Sequence, residues 1–202
     1  MPTDISELLV RWSAGDESAL QALTPIVYGE LRRLGRSALR RGRDDSILQP
    51  TALVHEAWLR FSGKQHLSIT NRSQFYGLAA KMIRDILVDS LRRRKAEKRG
   101  GSHISIELND AGVLEQPRFV DFLALDEALT RLGQIGDRYQ RIVELRFITG
   151  LTIEETAEVV NVSHATVERE WNFARAWLRR ELTSPRELPS RLEEPANNRN
   201  PF

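Results

Sequence analysis

The stretch TIEETAEVVNVSHATVEREWNFARAWL, residues 152–178, decides the fold. It opens on Thr152-Ile153-Glu154-Glu155, a capping box in which the threonine hydroxyl accepts from the amide three residues on while Glu155 reaches back to the cap amide. A helix is therefore predicted from Ile153 to Val160, with Ala157 where two helices must cross closely. Asn161 tolerates the left-handed conformation of a tight turn, Val162 plugs that turn, and Ser163 is placed to cap a second helix. The second helix turns Val167, Trp171, Ala174 and Leu178 inward at steps of four, three and four. This spacing holds the second helix proud of its domain, as a DNA-reading helix-turn-helix requires. Its exposed positions are His164, Thr166, Glu168, Arg169, Asn172 and Arg175, with Ser163 at the tip beside them. Arg169 and Asn172 are suited to bidentate contacts with base edges, worth about 1–3 kcal/mol each. The competing reading is a plain helical hairpin with a solvated face.

Outward from this motif the chain reads as helix almost throughout, without strand alternation or a hairpin signal, so an all-α fold is expected. Near the start, Ile5, Leu8, Leu9 and Trp12 precede a break at Gly15-Asp16. Leu20, Leu23, Val27, Leu31, Leu34 and Ala38 then form one stripe that stops at Arg40-Arg41-Gly42-Arg43. Pro50 suits the first turn of a helix that buries Leu53, Val54, Ala57, Trp58 and Phe61 and leaves Thr51, His55, Glu56 and Arg60 off that face. Ser73 is read as the cap of the next helix, whose buried face is Phe75, Leu78, Ala79, Met82, Ile83, Ile86, Leu87 and Leu91. Its polar face and end carry Lys81, Arg84, Asp85, Asp89 and the basic run Arg92-Arg93-Arg94-Lys95, continuing to Lys98-Arg99. Charges held on a rigid element suit phosphate contact, although a basic helix end is also favoured by the helix dipole alone. Periodicity fails between Gly100 and Pro117, a turn is read at Gly133–Asp137, and a helix at about Arg138–Phe147. The expected organisation is two small helical domains, residues 1–99 and 119–182, joined by a flexible linker at 100–118 and followed by a disordered tail at 183–202.

Composition narrows the functional classes. The net charge is only +2, with 30 basic against 28 acidic residues, so nucleic-acid binding must rest on where the cations lie. Cysteine is absent, which excludes disulfides, thiol nucleophiles and thiolate-bound zinc. His55, His66, His103 and His164 are scattered without metal-ligand spacing, and neither a GxxxxGK[ST] loop nor a GxGxxG after a strand occurs. No catalytic site, metal or cofactor is expected. Without a leader-like N-terminus or a long apolar run, a cytoplasmic location is the default expectation.

Several further motifs accompany the helix-turn-helix: Pro50-Thr51-Ala52-Leu53-Val54-His55-Glu56-Ala57-Trp58-Leu59-Arg60, the run from Phe75 to Asp89, Lys98-Arg99-Gly100-Gly101, and Val143-Glu144-Leu145-Arg146-Phe147. As a set, over about residues 5 to 182, the chain resembles bacterial sigma factors of the extracytoplasmic-function type. The resemblance implies a protein that binds core RNA polymerase, directs it to promoter DNA and helps to open the duplex. It implies a polymerase clamp at Thr51, His55, Glu56 and Arg60. It also implies a −10 reading and melting element that includes Asn71, Tyr76, Lys81, Arg84, Asp85, Arg92, Arg93 and Lys95, with the loop from Lys64 to Arg72 near a flipped base, and a −35 reader in the helix-turn-helix. An anti-sigma factor is a further candidate partner, no membrane partner is expected, and outside the holoenzyme the chain is expected to be a monomer. The alternatives are an autonomous helix-turn-helix regulator and a nucleic-acid-modifying enzyme with an auxiliary helix-turn-helix.

Overall fold

The computed structural model describes residues 5–40, 48–63, 69–97, 105–107 and 119–183. The linker at 100–104 and 108–118, the tail from 184, and Lys98 and Arg99 lie outside the described residues, as does most of the loop after Gly63.

The architecture is all-α. Helices α1 (Ile5–Ser13), α2 (Glu17–Arg40), α3 (Pro50–Ser62) and α4 (Arg72–Glu97) form the first half. Helices α5 (Phe122–Ile135), α6 (Asp137–Val143), α7 (Ile153–Val160) and α8 (His164–Thr183) form the second. Strands β1 (Ser105–Glu107) and β2 (Phe119–Asp121) pair antiparallel with Ser105 opposite Asp121. This short ladder was not expected, because three residues a side are too few to show alternation.

The stripe on α2 packs as its spacing predicts: Leu23, Val27, Leu31 and Leu34 are buried. Pro25 sits inside α2 and removes one backbone donor. It is exposed along with Gln21, one turn back, so water can take the place of the bond that proline cannot donate. Phe61 is the junction of the first half. It stacks on Trp12 of α1 at 4.7 Å, meets Phe75 of α4 edge-on at 5.7 Å, and lies 6.0 Å from Trp58, which is half-buried beside it.

Helix α4 departs from the expected single buried face. Besides the apolar stripe, Tyr76, Ala80, Val88 and Arg84 are buried, so that little of its middle faces water. A helix covered nearly all round must have packing partners on more than one side, and α4 has them in α2 and α3 on one side and α5, α7 and the turn after α6 on the other. Its cap is Asn71 rather than the expected Ser73. The Asn71 side chain accepts from the Gln74 amide at 2.8 Å, three residues on, while the Ser73 hydroxyl donates to the Glu158 carbonyl of α7.

The expected turn at Gly133–Asp137 is also corrected. Helix α5 runs through Gly133 to Ile135 and breaks only at Gly136. Gly133 is there for space, since a Cβ would lie 2.0 Å from Gln140 Oε1. After α6 the backbone widens into a π turn, Glu144–Ile148, closed by the Thr149 amide donating to the Glu144 carbonyl. Gly150, at φ +73°, then turns the chain against α2, where a Cβ would meet Ser37 Oγ at 2.2 Å. Buried apolar residues from Leu8 to Leu178 form one continuous cluster.

Truncation of Phe61 to Ala empties the contact shared by three helices and is expected to lower stability by about 3–5 kcal/mol, read by chemical denaturation.

Candidate nucleic-acid interface

The capping box predicted at Thr152 is formed: its hydroxyl accepts from the Glu155 amide at 3.1 Å and the Glu155 carboxylate accepts from the Thr152 amide at 2.8 Å. Helix α7 ends at Asn161 in the left-handed region, φ 54° and ψ 52°, and the Val162 amide returns to the Ala157 carbonyl at 3.1 Å. Ser163 Oγ then accepts from the Thr166 amide at 3.2 Å and starts α8. Val167, Trp171, Ala174 and Leu178 are buried as predicted. The remaining register sets the surface: Ser163, His164, Glu168, Arg169 and Asn172 are exposed on one side of α8, with Thr166 half-buried through its hydroxyl contact with Ser163. These residues form one convex, mixed-charge face that can enter a groove of duplex DNA.

Two arginines frame this helix. Arg175 lies over the Trp171 ring at 5.9 Å and Arg146, from the π turn, lies over it at 5.1 Å. Burial pulls both guanidinium groups below their ordinary pKa, with Arg179 adding to the effect at Arg175 and Arg175 at Arg146. From sequence Arg146 appears only within the Val143–Phe147 motif and has no site role; its signal is a cation placed between Leu145 and Phe147. Glu170, one position beyond Arg169, faces inward instead, paired with Arg138 of α6.

The residues expected on α4 separate into two groups. Lys81, Asp85, Arg92, Arg93 and Lys95 are exposed, and Asn71 caps the helix. Tyr76 and Arg84 are buried, contrary to a surface placement. The Tyr76 hydroxyl donates to Glu30 of α2 at 2.9 Å and accepts from Arg72; burial, partly opposed by Arg72, pushes its pKa up. Arg84 is enclosed by acceptors from the second half: Nε donates to Asp126 Oδ1 at 2.7 Å and Nη1 to Glu144 Oε1 at 2.5 Å. Neither acid has a role assigned from sequence, although Glu144 belongs to the Val143–Phe147 motif. Glu144 had a visible signal, a carboxylate between Val143 and Leu145.

On α3, Thr51 and His55 are exposed, and Leu59, 53% exposed, continues their line at i+4. An apolar side chain left in water along such a line was not singled out from sequence. Glu56 and Arg60 are joined at 2.9 Å, and Arg60 also reaches Asp89 of α4 at 3.0 Å, so this surface is braced on the neighbouring helix. Among the described residues no group of His, Asp or Glu is arranged to hold a metal ion, and no helix is long and apolar enough to cross a membrane.

A family model described as ECF sigma factor matches residues 2–184. No curated protein matches the chain. Because Arg169 and Asn172 project into solvent, replacing both with Ala is expected to change stability by less than about 0.5 kcal/mol each in a denaturant titration.

Proposed function

The chain belongs to the ECF sigma factor family and acts in promoter-specific transcription initiation; from that premise we propose that it binds core RNA polymerase through α3 and carries it to promoters read by α8 at −35 and by α4 at −10. The observation that carries the proposal is the helix-turn-helix, whose cap, left-handed turn and inward register leave Ser163, His164, Glu168, Arg169 and Asn172 free for DNA. Arg169 and Asn172 supply base-edge contacts, with Thr166 and Arg175 beside them. On α4, Lys81, Asp85, Arg92, Arg93 and Lys95 line the path of the melted strand, Tyr76 and Arg84 hold that helix in place from its buried flanks, and Asn71 fixes the helix start. On α3, Thr51, His55, Glu56 and Arg60 meet the polymerase, with Leu59 as an apolar anchor among them.

Charge supports this division. Non-specific affinity for DNA scales with the number of phosphates that cations neutralise, and a net charge of +2 keeps that background low. Two modest DNA contacts on one polymerase-bound chain raise each other's effective concentration, so neither needs high affinity alone. The reading implies a cytoplasmic protein of two domains, 1–99 and 119–182, without catalysis of its own.

Run-off transcription with core polymerase, followed by sequencing of the start sites, is expected to give transcripts from a limited promoter set. Absence of any transcript, together with failure to co-purify with core, overturns the proposal. Arg169→Ala with Asn172→Ala is expected to reduce −35-dependent transcription by on the order of 10-fold or more, as bidentate base contacts are lost, while co-purification with core is kept. Glu56→Ala with Leu59→Ala is expected to give the converse, a loss of core binding in the same pull-down.

A further inference from the structure

Where α2 passes the start of α4, two arginines converge on one ring. The Arg72 guanidinium lies 5.3 Å from the centroid of Tyr76 and donates to the Tyr76 hydroxyl from Nη2 at 3.0 Å and from Nε at 3.3 Å. From α2, the Arg33 guanidinium lies 6.0 Å from the same centroid. Its Nε donates to Glu30 Oε2 at 3.2 Å, the oxygen that also accepts from the Tyr76 hydroxyl. One carboxylate thus stands against two guanidinium groups. Among the described residues no carboxylate is hydrogen-bonded to Arg72; Glu30 and Glu158 act on it only through space. Both arginines nevertheless reach water, since Arg72 is exposed and the Arg33 side chain is 44% exposed. Arg36, exposed one turn further along α2, continues the side of Arg33. Like charges gathered round one ring repel each other unless something holds them, and the buried Tyr76 does so through its face and its hydroxyl.

The geometry points to a phosphate clamp, in which Arg33 and Arg72, held at the Tyr76 ring, grip the backbone of single-stranded DNA, and Arg36 continues the grip along α2. A guanidinium presents its N–H donors in a rigid fork that matches the oxygens of a phosphate. Arg33 gives Nε to Glu30 and Arg72 gives Nε and Nη2 to one phenol oxygen, so each keeps donors for such a group. Holding both forks in advance lowers the side-chain entropy lost on binding. A site that meets phosphate carries no base sequence, so it holds the strand without choosing it. The inference rests on the sigma-factor reading for which strand arrives: beyond Lys81 the melted strand runs toward the start of α4 and on to α2, a helix to which the proposed function gives no role. The competing account is an internal brace, with Arg33 and Arg72 serving only the packing of α2 on α4.

The probe is the fluorophore-labelled nontemplate strand of a promoter that run-off transcription identifies, from its −10 element to its start site. Its anisotropy on addition of holoenzyme is read over a range of salt. Each phosphate that a cation neutralises on a single strand contributes about 0.7 to the slope of log affinity against log salt. Arg33→Gln with Arg72→Gln is expected to lower affinity on the order of 10-fold and to flatten that slope by about 0.7 or more. The loss is expected to be the same for a strand whose bases downstream of the −10 element are changed. Glu30→Gln removes the opposing charge and is expected to hold or raise affinity, whereas an internal brace predicts a loss. Co-purification with core is expected to be kept by every variant. A slope that the double glutamine variant leaves unchanged overturns the clamp, as does a loss of affinity by folded Glu30→Gln. Should the double variant fail to fold, judged by circular dichroism, Arg36→Gln, which alters none of the bonds around Tyr76, decides by the same slope. If the chain neither binds core nor supports transcription, the sigma-factor reading fails by itself. Labelled oligodeoxythymidylate added to the free chain then tests the clamp, which stands if the glutamine variants flatten the slope and falls if they do not.

Discussion

The burial of Arg84 is the constraint on which the rest of the arrangement turns. A guanidinium taken out of water without compensation is far too costly to persist, so wherever α4 packs on both sides something must supply acceptors at that one point. Asp126, Thr130 and Glu144 do so from two different elements, and their positions fix how α5 and the π turn sit on α4. The π turn follows from the same demand. The widened backbone at Glu144–Ile148 lets Glu144 face Arg84 while Leu145, Phe147 and Ile148 stay buried. Once α5 and the π turn are set, Gly150 redirects the chain and α7 lands beside the start of α4.

What was legible in the sequence divides by the range of the forces. The helix-turn-helix could be read residue by residue because each of its constraints closes within a few positions: Thr152 with Glu155, Asn161 with the turn, Ser163 with Thr166. The stripe on α2 was legible for a similar reason, since period alone places Leu23, Val27, Leu31 and Leu34 on one side. Arg84 was not, because its partners stand 42 and 60 residues away and nothing local marks it as different from Lys81 or Arg92. Gly133 misled for a related reason. A glycine reads as a turn from local propensity, yet here it answers a tertiary demand for space beside Gln140.

The candidate site shows the same division. Positions whose exposure follows from register alone, such as Arg169 and Asn172, fall where the sequence places them. Tyr76 and Arg84 do not, since each occupies a flank of α4 that a single-face reading leaves to solvent. Tyr76 is tied down by Glu30 and Arg72, Arg84 by the second half of the chain. These two burials differ in kind. The polar partners of Tyr76 stand in the first half of the chain, whereas those of Arg84 come from the second.

The pairing of Arg84 also bears on how strongly so lightly charged a chain meets phosphate. Lowering the total charge weakens every phosphate contact, wanted and unwanted alike. Covering selected cations with the protein's own carboxylates leaves the total untouched and takes those cations out of reach of phosphate. Arg84 is paired inside the fold, and Arg92, 3.6 Å from Asp126, stays exposed at its rim. Arg72, Lys81, Arg92, Arg93 and Lys95 stay exposed on α4, and phosphate contacts by these cations weaken as salt rises. Restraint in net charge and the paired acids of α5 and the π turn thus act in one direction, each lowering the number of cations that phosphate can reach.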